Sequence, residues 1–110
     1  MDFNQSLVAL SALGQETRLE VFRLLIRAGP RGMQAGEISE ALDVRQNTMS
    51  ANLSVLTRAG LIRSERNGRT IRYFANIDGI RGLLGFLMED CCGGNAELCK
   101  SVLQEIVCDC

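Results

Sequence analysis

Gln46-Asn47-Thr48-Met49-Ser50-Ala51-Asn52-Leu53-Ser54-Val55-Leu56-Thr57-Arg58-Ala59, followed after Gly60 by Leu61-Ile62-Arg63-Ser64-Glu65-Arg66-Asn67-Gly68-Arg69-Thr70-Ile71-Arg72-Tyr73-Phe74, decides the fold. In the first half Met49, Leu53 and Leu56 recur at i, i+4 and i+7, the spacing of one buried helix stripe, while Asn47, Ser50, Ala51, Ser54 and Arg58 occupy the other face. The second half reads as two strands around a two-residue type I′ turn at Asn67-Gly68, with Arg66 and Arg69 flanking the tip. Just upstream, Ala35 to Leu42 predicts a short helix with Ile38, Ala41 and Leu42 inward, and Asp43-Val44-Arg45 breaks it before the second helix starts. Two helices with a tight turn, then an Arg-tipped hairpin, make a winged helix-turn-helix. A small, polar outer face suits descent into the DNA major groove, where short side chains admit the backbone to base edges and Gln or Asn can pair with adenine. The wing arginines would meet phosphate or a minor groove.

Working outward, Glu16 to Ala28 predicts a core helix burying Leu19, Phe22, Leu25 and Ile26 and stopped by Gly29-Pro30. Leu7, Val8, Leu10 and Leu13 mark a shorter apolar helix near the start, and Asp78 can N-cap a last helix whose Ile80, Leu83, Leu84, Leu87 and Met88 form an apolar stripe. That stripe exceeds what so small a core needs, so the two terminal helices are expected to bury each other across a twofold axis. Gly79, Gly82 and Gly85 lie opposite it, either as tolerated surface glycines or as a looseness that lets the helix shift; each costs about 1 kcal/mol relative to Ala in a helix interior. The expected architecture is mainly α with a β-hairpin, in the order α-α-α-α-β-β-α plus a short C-terminal helix, and dimeric. Residues 1–90 would form the winged-helix DNA-binding and dimerisation domain, and 91–110 a cysteine-rich sensor segment.

The net charge of −1 hides a strong segregation. Residues 45–74 carry six Arg against Glu65 alone, a net of +5, between acidic flanks. Five Cys and no His exclude Ser-His and Cys-His catalytic pairs and any His-ligated zinc, so a metal or metalloid site must rely on thiolate, carboxylate or backbone. The odd cysteine count, the start Met1-Asp2-Phe3-Asn4-Gln5 without a basic-then-apolar order, and the lack of long apolar runs lead us to expect a cytoplasmic chain with reduced thiols and no membrane span.

Ala12-Leu13-Gly14-Gln15-Glu16-Thr17-Arg18-Leu19-Glu20-Val21-Phe22-Arg23-Leu24-Leu25, with Gln46 to Ile62 and the Arg66-Asn67-Gly68-Arg69 wing, resembles the ArsR/SmtB family of winged-helix metalloregulatory repressors over roughly residues 7–90. The resemblance implies a homodimer that sits on its own operator, a double-stranded DNA, and leaves when a metal or metalloid binds. It places base-reading positions on Gln46, Asn47, Thr48, Ser50, Ala51 and Asn52, the last lacking a His common in the family. The family's Cys-Val-Cys site would fall on Gln34-Ala35-Gly36, which has no thiol, and its zinc site of Asp and His across the terminal helices cannot be built here. The likeness narrows to members with a C-terminal cysteine site that respond to arsenite.

Cys91, Cys92, Cys99, Cys108 and Cys110 all fall in the last twenty residues. Adjacent cysteines and a third returned by Gly93-Gly94 can offer three soft thiolates to one pyramidal centre, which suits As(III), or Sb(III), as an inducer ligand; no organic cofactor is expected. Asn95 can cap a helix from about Ala96 to Val107, with Cys99 in its first turn, where the helix dipole favours a thiolate. Singly, Cys91 and Cys99 also read as small buried hydrophobes, whereas Cys92 lies off the stripe. A four-thiolate zinc site using Cys108 or Cys110 lacks the usual knuckle spacing, and those two are expected to be auxiliary thiols at a frayed end. The function so read is an operator-bound repressor released by As(III), with a thiol-based redox or reactive-sulfur sensor of the same fold as the alternative. A small thiol enzyme of the arsenate reductase type is disfavoured, because neither Cys91 nor Cys92 is followed by the Arg that closes an oxyanion cradle. No enzyme activity is expected.

Overall fold

The computed structural model describes residues 1–89. The chain runs α1 (Phe3–Leu13), α2 (Glu16–Ala28), a 3-10 turn (Gly29–Arg31), β1 (Met33–Gln34), α3 (Ala35–Leu42), α4 (Gln46–Arg58), β2 (Ile62–Asn67), β3 (Thr70–Ala75) and α5 (Ile77–Leu87). This is the expected order, with the 3-10 turn and β1 added. The three strands form an antiparallel sheet in the order β1-β3-β2. Two residues of β1 pair with Tyr73 and Arg72 of β3, too short a run to leave any periodicity in the sequence. The expected C-terminal helix and the cysteine segment lie outside the described residues.

Apolar periodicity builds one core. Val21, Leu25, Ile38, Met49, Leu53, Leu56 and Leu61 are 0–1% exposed and come together from α2, α3, α4 and the residue before β2. Each fully buried Leu or Ile contributes about 1.5–3 kcal/mol. Local chemistry fixes the element ends. Asp2 accepts the Gln5 N–H at 2.7 Å while Gln5 accepts the Asp2 N–H at 2.9 Å, a reciprocal box that starts α1. Gly60, with φ +79°, ends α4: its N–H donates to the Thr57 carbonyl and the Leu61 N–H to the Leu56 carbonyl, the paired bonds of a Schellman motif.

Several inward assignments need correction. Leu19 and Ile26 of α2 are 44% and 43% exposed, because α2 meets its neighbours along the narrower Val21-Phe22-Leu25 edge. Ala41 of α3 is also exposed, leaving Ile38 and Leu42 to face the core. The last helix is capped one turn-half earlier than expected, at Asn76, and Asp78 lies inside its first turn, paired to Arg81 at 3.2 Å. Asn76 is held by the end of α4, its N–H donating to the Leu61 carbonyl at 2.9 Å and its Nδ2 to the Gly60 carbonyl at 3.0 Å. Gly79 is not a tolerated surface glycine: a Cβ there would collide with the Gly60 carbonyl oxygen, so its missing side chain is what lets α5 sit against the end of α4. Gly85, by contrast, faces open space.

Candidate nucleic-acid interface

The turn between α3 and α4 sets the angle of the second helix. Asp43 adopts the left-handed conformation (φ 53°, ψ 52°), and the Val44 N–H donates to the Ser39 carbonyl at 3.0 Å. Asp is among the few non-glycine residues that visit this region readily. With Met49, Leu53 and Leu56 locked in the core, α4 has no freedom to roll, and its opposite face must point outward.

Asn47, Ser50 and Ala51 are exposed on that face, and Gln46 and Thr48 in the first turn of α4 are exposed beside them. Asn52 is not with them. It is 8% exposed, and its Oδ1 faces the Arg18 guanidinium at 3.4 Å. One helical step of about 100° past Ala51 carries it to the inner side of α4, so the base-reading position implied by the resemblance is turned into the protein. The first turn of α4 contains no acidic residue to offset the positive end of its dipole beside these side chains, and the Thr48 N–H donates to Asn47 Oδ1 at 2.9 Å.

The hairpin differs in one respect from the expectation. Asn67 pairs with Thr70, so the two-residue tip is Gly68-Arg69 rather than Asn67-Gly68. Gly68 has φ +67° and Arg69 takes no positive φ, the sign pattern of a type II′ turn with glycine first. Arg66 now opposes Ile71, and Arg69 sits on the turn itself; both are exposed, and the Arg66 Nε donates to the Gly68 carbonyl at 3.3 Å. The pairing partner moves by two residues, which preserves the alternation of faces.

The six arginines of the basic stretch divide by task. Arg72 donates from Nε to the Arg31 carbonyl at 2.9 Å and from Nη2 to the Gly32 carbonyl at 3.1 Å, with Glu37 at 3.9 Å, and so fastens β3 to the entrance of α3. Arg63 lies over the Phe74 ring at 4.4 Å and pairs with Glu65 at 2.7 Å. Arg45, Arg58, Arg66 and Arg69 are exposed and form no ion pair with another described residue. Cys91, Cys92 and Cys99 lie outside the described residues, and among those described no three metal-capable side chains come together. The Arg18–Asn52 contact escaped the sequence reading because the two residues are 34 positions apart and on separate helices.

A helix-turn-helix whose second helix bares a polar face beside an Arg-tipped hairpin defines a winged helix-turn-helix DNA-binding protein. Known proteins agree. A family model described as a helix-turn-helix domain matches residues 13–65. The helix-turn-helix-type transcriptional regulator YbzH of Bacillus subtilis is 32% identical over 88 residues, covering 69% of this chain and 88% of that one. The putative arsenical resistance operon repressor ArsR of Halobacterium salinarum is 39% identical over 70 residues, 64% of this chain but only 54% of that protein's length. Among solved structures, an ArsR-like transcriptional regulator from Rhodococcus superposes with a TM-score of 0.72 over 98% of this chain and 97% of its own, at 23% identity. A homodimeric winged helix-turn-helix DNA-binding domain from Mycobacterium bovis, described as a possible ArsR-family transcriptional regulator, gives 0.65 over 77% of this chain and 76% of its own, at 25% identity. The chain belongs to the ArsR/SmtB family of winged-helix transcriptional regulators.

Proposed function

We propose that this protein is a repressor that binds operator DNA as a homodimer and is released when As(III), or Sb(III), is gathered by the Cys91, Cys92 and Cys99 thiolates. The observation that carries the DNA half is the division of the basic module: the wing tip and the outer face of α4 are exposed together, while the arginines needed for the fold are tied down elsewhere. Two recognition helices one helical turn apart would read a palindrome. For pairing, α1 and α5 leave Phe3, Leu7, Leu10, Leu84 and Leu87 between 39% and 63% exposed, unspent apolar surface on two helices that already pack on each other. The homodimeric mycobacterial domain assembles in the same fold. No helix among the described residues is long and apolar enough to cross a membrane.

The inducer half rests on donor chemistry. Three thiolates suit a trivalent, pyramidal, thiophilic centre, and no imidazole is present to favour a harder ion. The halobacterial relative, named for arsenical resistance, supports the same choice. Coupling requires only that the metalloid prefer the conformation that binds DNA poorly, and about 1–3 kcal/mol of preference gives roughly 5- to 150-fold release. The test is fluorescence anisotropy on a palindrome selected by the protein, titrating arsenite against Zn(II), Cd(II) and peroxide with Cys91, Cys92 and Cys99 replaced singly. Arsenite-driven dissociation that each substitution blunts is the expected result. Dissociation by peroxide and not arsenite would establish the redox reading, and retention of the arsenite response by all three variants would refute the ligand set.

A further inference from the structure

Arg18 stands at the joint of three helices. Its backbone N–H is the one capped by Gln15 Oε1 at 2.9 Å at the start of α2, its Nε donates to the Ala12 carbonyl at 2.7 Å, and its Nη2 reaches the Ser11 carbonyl at 3.5 Å, so it closes the C-terminal end of α1. α1 has no basic residue of its own in its last turn, and the guanidinium supplies the cation that end of the helix favours. The remaining nitrogen, Nη1, faces Asn52 Oδ1 of α4 at 3.4 Å. Asn52 is nine-tenths buried and makes no other side-chain hydrogen bond among the described residues.

We infer that Arg18 and Asn52 are positioning residues that fix the recognition helix to α1, the helix bearing much of the unspent apolar face, so that DNA affinity depends on where α1 is held. The guanidinium serves Ala12, Ser11 and Asn52 from three separate nitrogens held in one plane, whereas a Lys ammonium in its place, with all its donors on one atom, would keep the charge at the α1 end and lose the reach to Asn52. The inference rests on the DNA-binding reading above and assigns Asn52 no base contact.

The experiment uses the full chain and a duplex enriched by the wild-type protein from a random-sequence pool. Affinity and preference among single base-pair changes are measured for wild type, Arg18→Lys, Asn52→Ala and the double variant, each at a temperature where it is folded and with its association state verified by ultracentrifugation. Each single substitution is expected to weaken binding about 5- to 10-fold, the range of an ordinary hydrogen bond, since 3.4 Å is longer than a charge-assisted contact at full strength. The double variant should be no weaker than the worse single one, and the base preferences should not change. If Asn52→Ala does not fold, Asn52→Ser replaces it. Losses that multiply in the double variant would overturn the inference, as would melting temperatures that fall with affinity untouched. Relaxed preference at one base pair in Asn52→Ala would make Asn52 a base reader instead. A wild-type protein that enriches no duplex would defeat the DNA-binding reading itself, and this inference with it.

Discussion

The two helices that meet at Gly60 use their apolar residues in opposite ways. α4 hides Met49, Leu53 and Leu56 completely, whereas α5 buries Leu83 and leaves Ile77, Leu84 and Leu87 at 52%, 39% and 49% exposure. α4 is surrounded by α1, α2, α3 and β2 and needs nothing more from its surroundings, so its other face is free to be polar. α5 packs along α1 and meets the end of α4 through Asn76 and Gly79 at the Gly60 carbonyl, and much of its stripe remains exposed. A helix satisfied within its own chain can serve a charged polymer; one that is not satisfied calls for a second protein surface.

The contrast can be broken most severely from within. Leu56→Ala should cost about 2–5 kcal/mol of stability in denaturant unfolding, since a fully buried side chain leaves a cavity, while Leu87→Ala should cost the isolated chain well under about 1.5 kcal/mol and chiefly weaken self-association in sedimentation. Next in size is the junction itself. Gly79→Ala should lower stability by about 1–3 kcal/mol as the new methyl displaces α5 from the Gly60 carbonyl, whereas Gly85→Ala, facing open space, should raise it by about 0.5–1 kcal/mol; calorimetry of the pair separates close packing from helix propensity. The same division within the wing predicts a difference in kind. Arg66→Ala and Arg69→Ala should each weaken duplex binding across all sequences and reduce the salt slope by about 1, leaving the melting temperature in place. Arg72→Ala should lower the melting temperature, because two backbone carbonyls lose their donor. The smallest effect falls on the hinge of the helix-turn-helix. Asp43→Gly should change stability by no more than about 0.5–1 kcal/mol, since glycine accepts the left-handed turn, and Asp43→Val should be distinctly worse in the same assay.

Helices α2, α3 and α4 and the hairpin were legible because each advertises itself locally, through periodic Leu and Ile, a breaking Asp43-Val44-Arg45, or an Asn-Gly flanked by strand formers. The exposure of Asn47, Ser50, Ala51, Ser54 and Arg58 followed from that periodicity, whereas Gln46 and Thr48 were placed by the family resemblance alone. What failed was set by neighbours distant in sequence. Periodicity says that Leu19 and Ile26 are apolar but not that α2 is covered along one narrow edge, and it cannot distinguish Gly79, pressed against a carbonyl, from Gly85, which touches nothing. The tip moved to Gly68-Arg69 because a single glycine can serve a two-residue turn from either position, second in type I′ or first in type II′, and here Gly68 takes the first while Asn67 pairs with Thr70.

By itself the sequence determined the winged helix-turn-helix, the segregation of positive charge into its middle and the gathering of every thiol near its end, because these are properties of residue type and spacing along one chain. Only the tertiary structure decided which arginines are held by the fold, that Asn52 turns toward Arg18, and that a glycine lets α5 rest on α4. Those outcomes depend on which surfaces meet, and contact between distant elements leaves no period in the sequence to read.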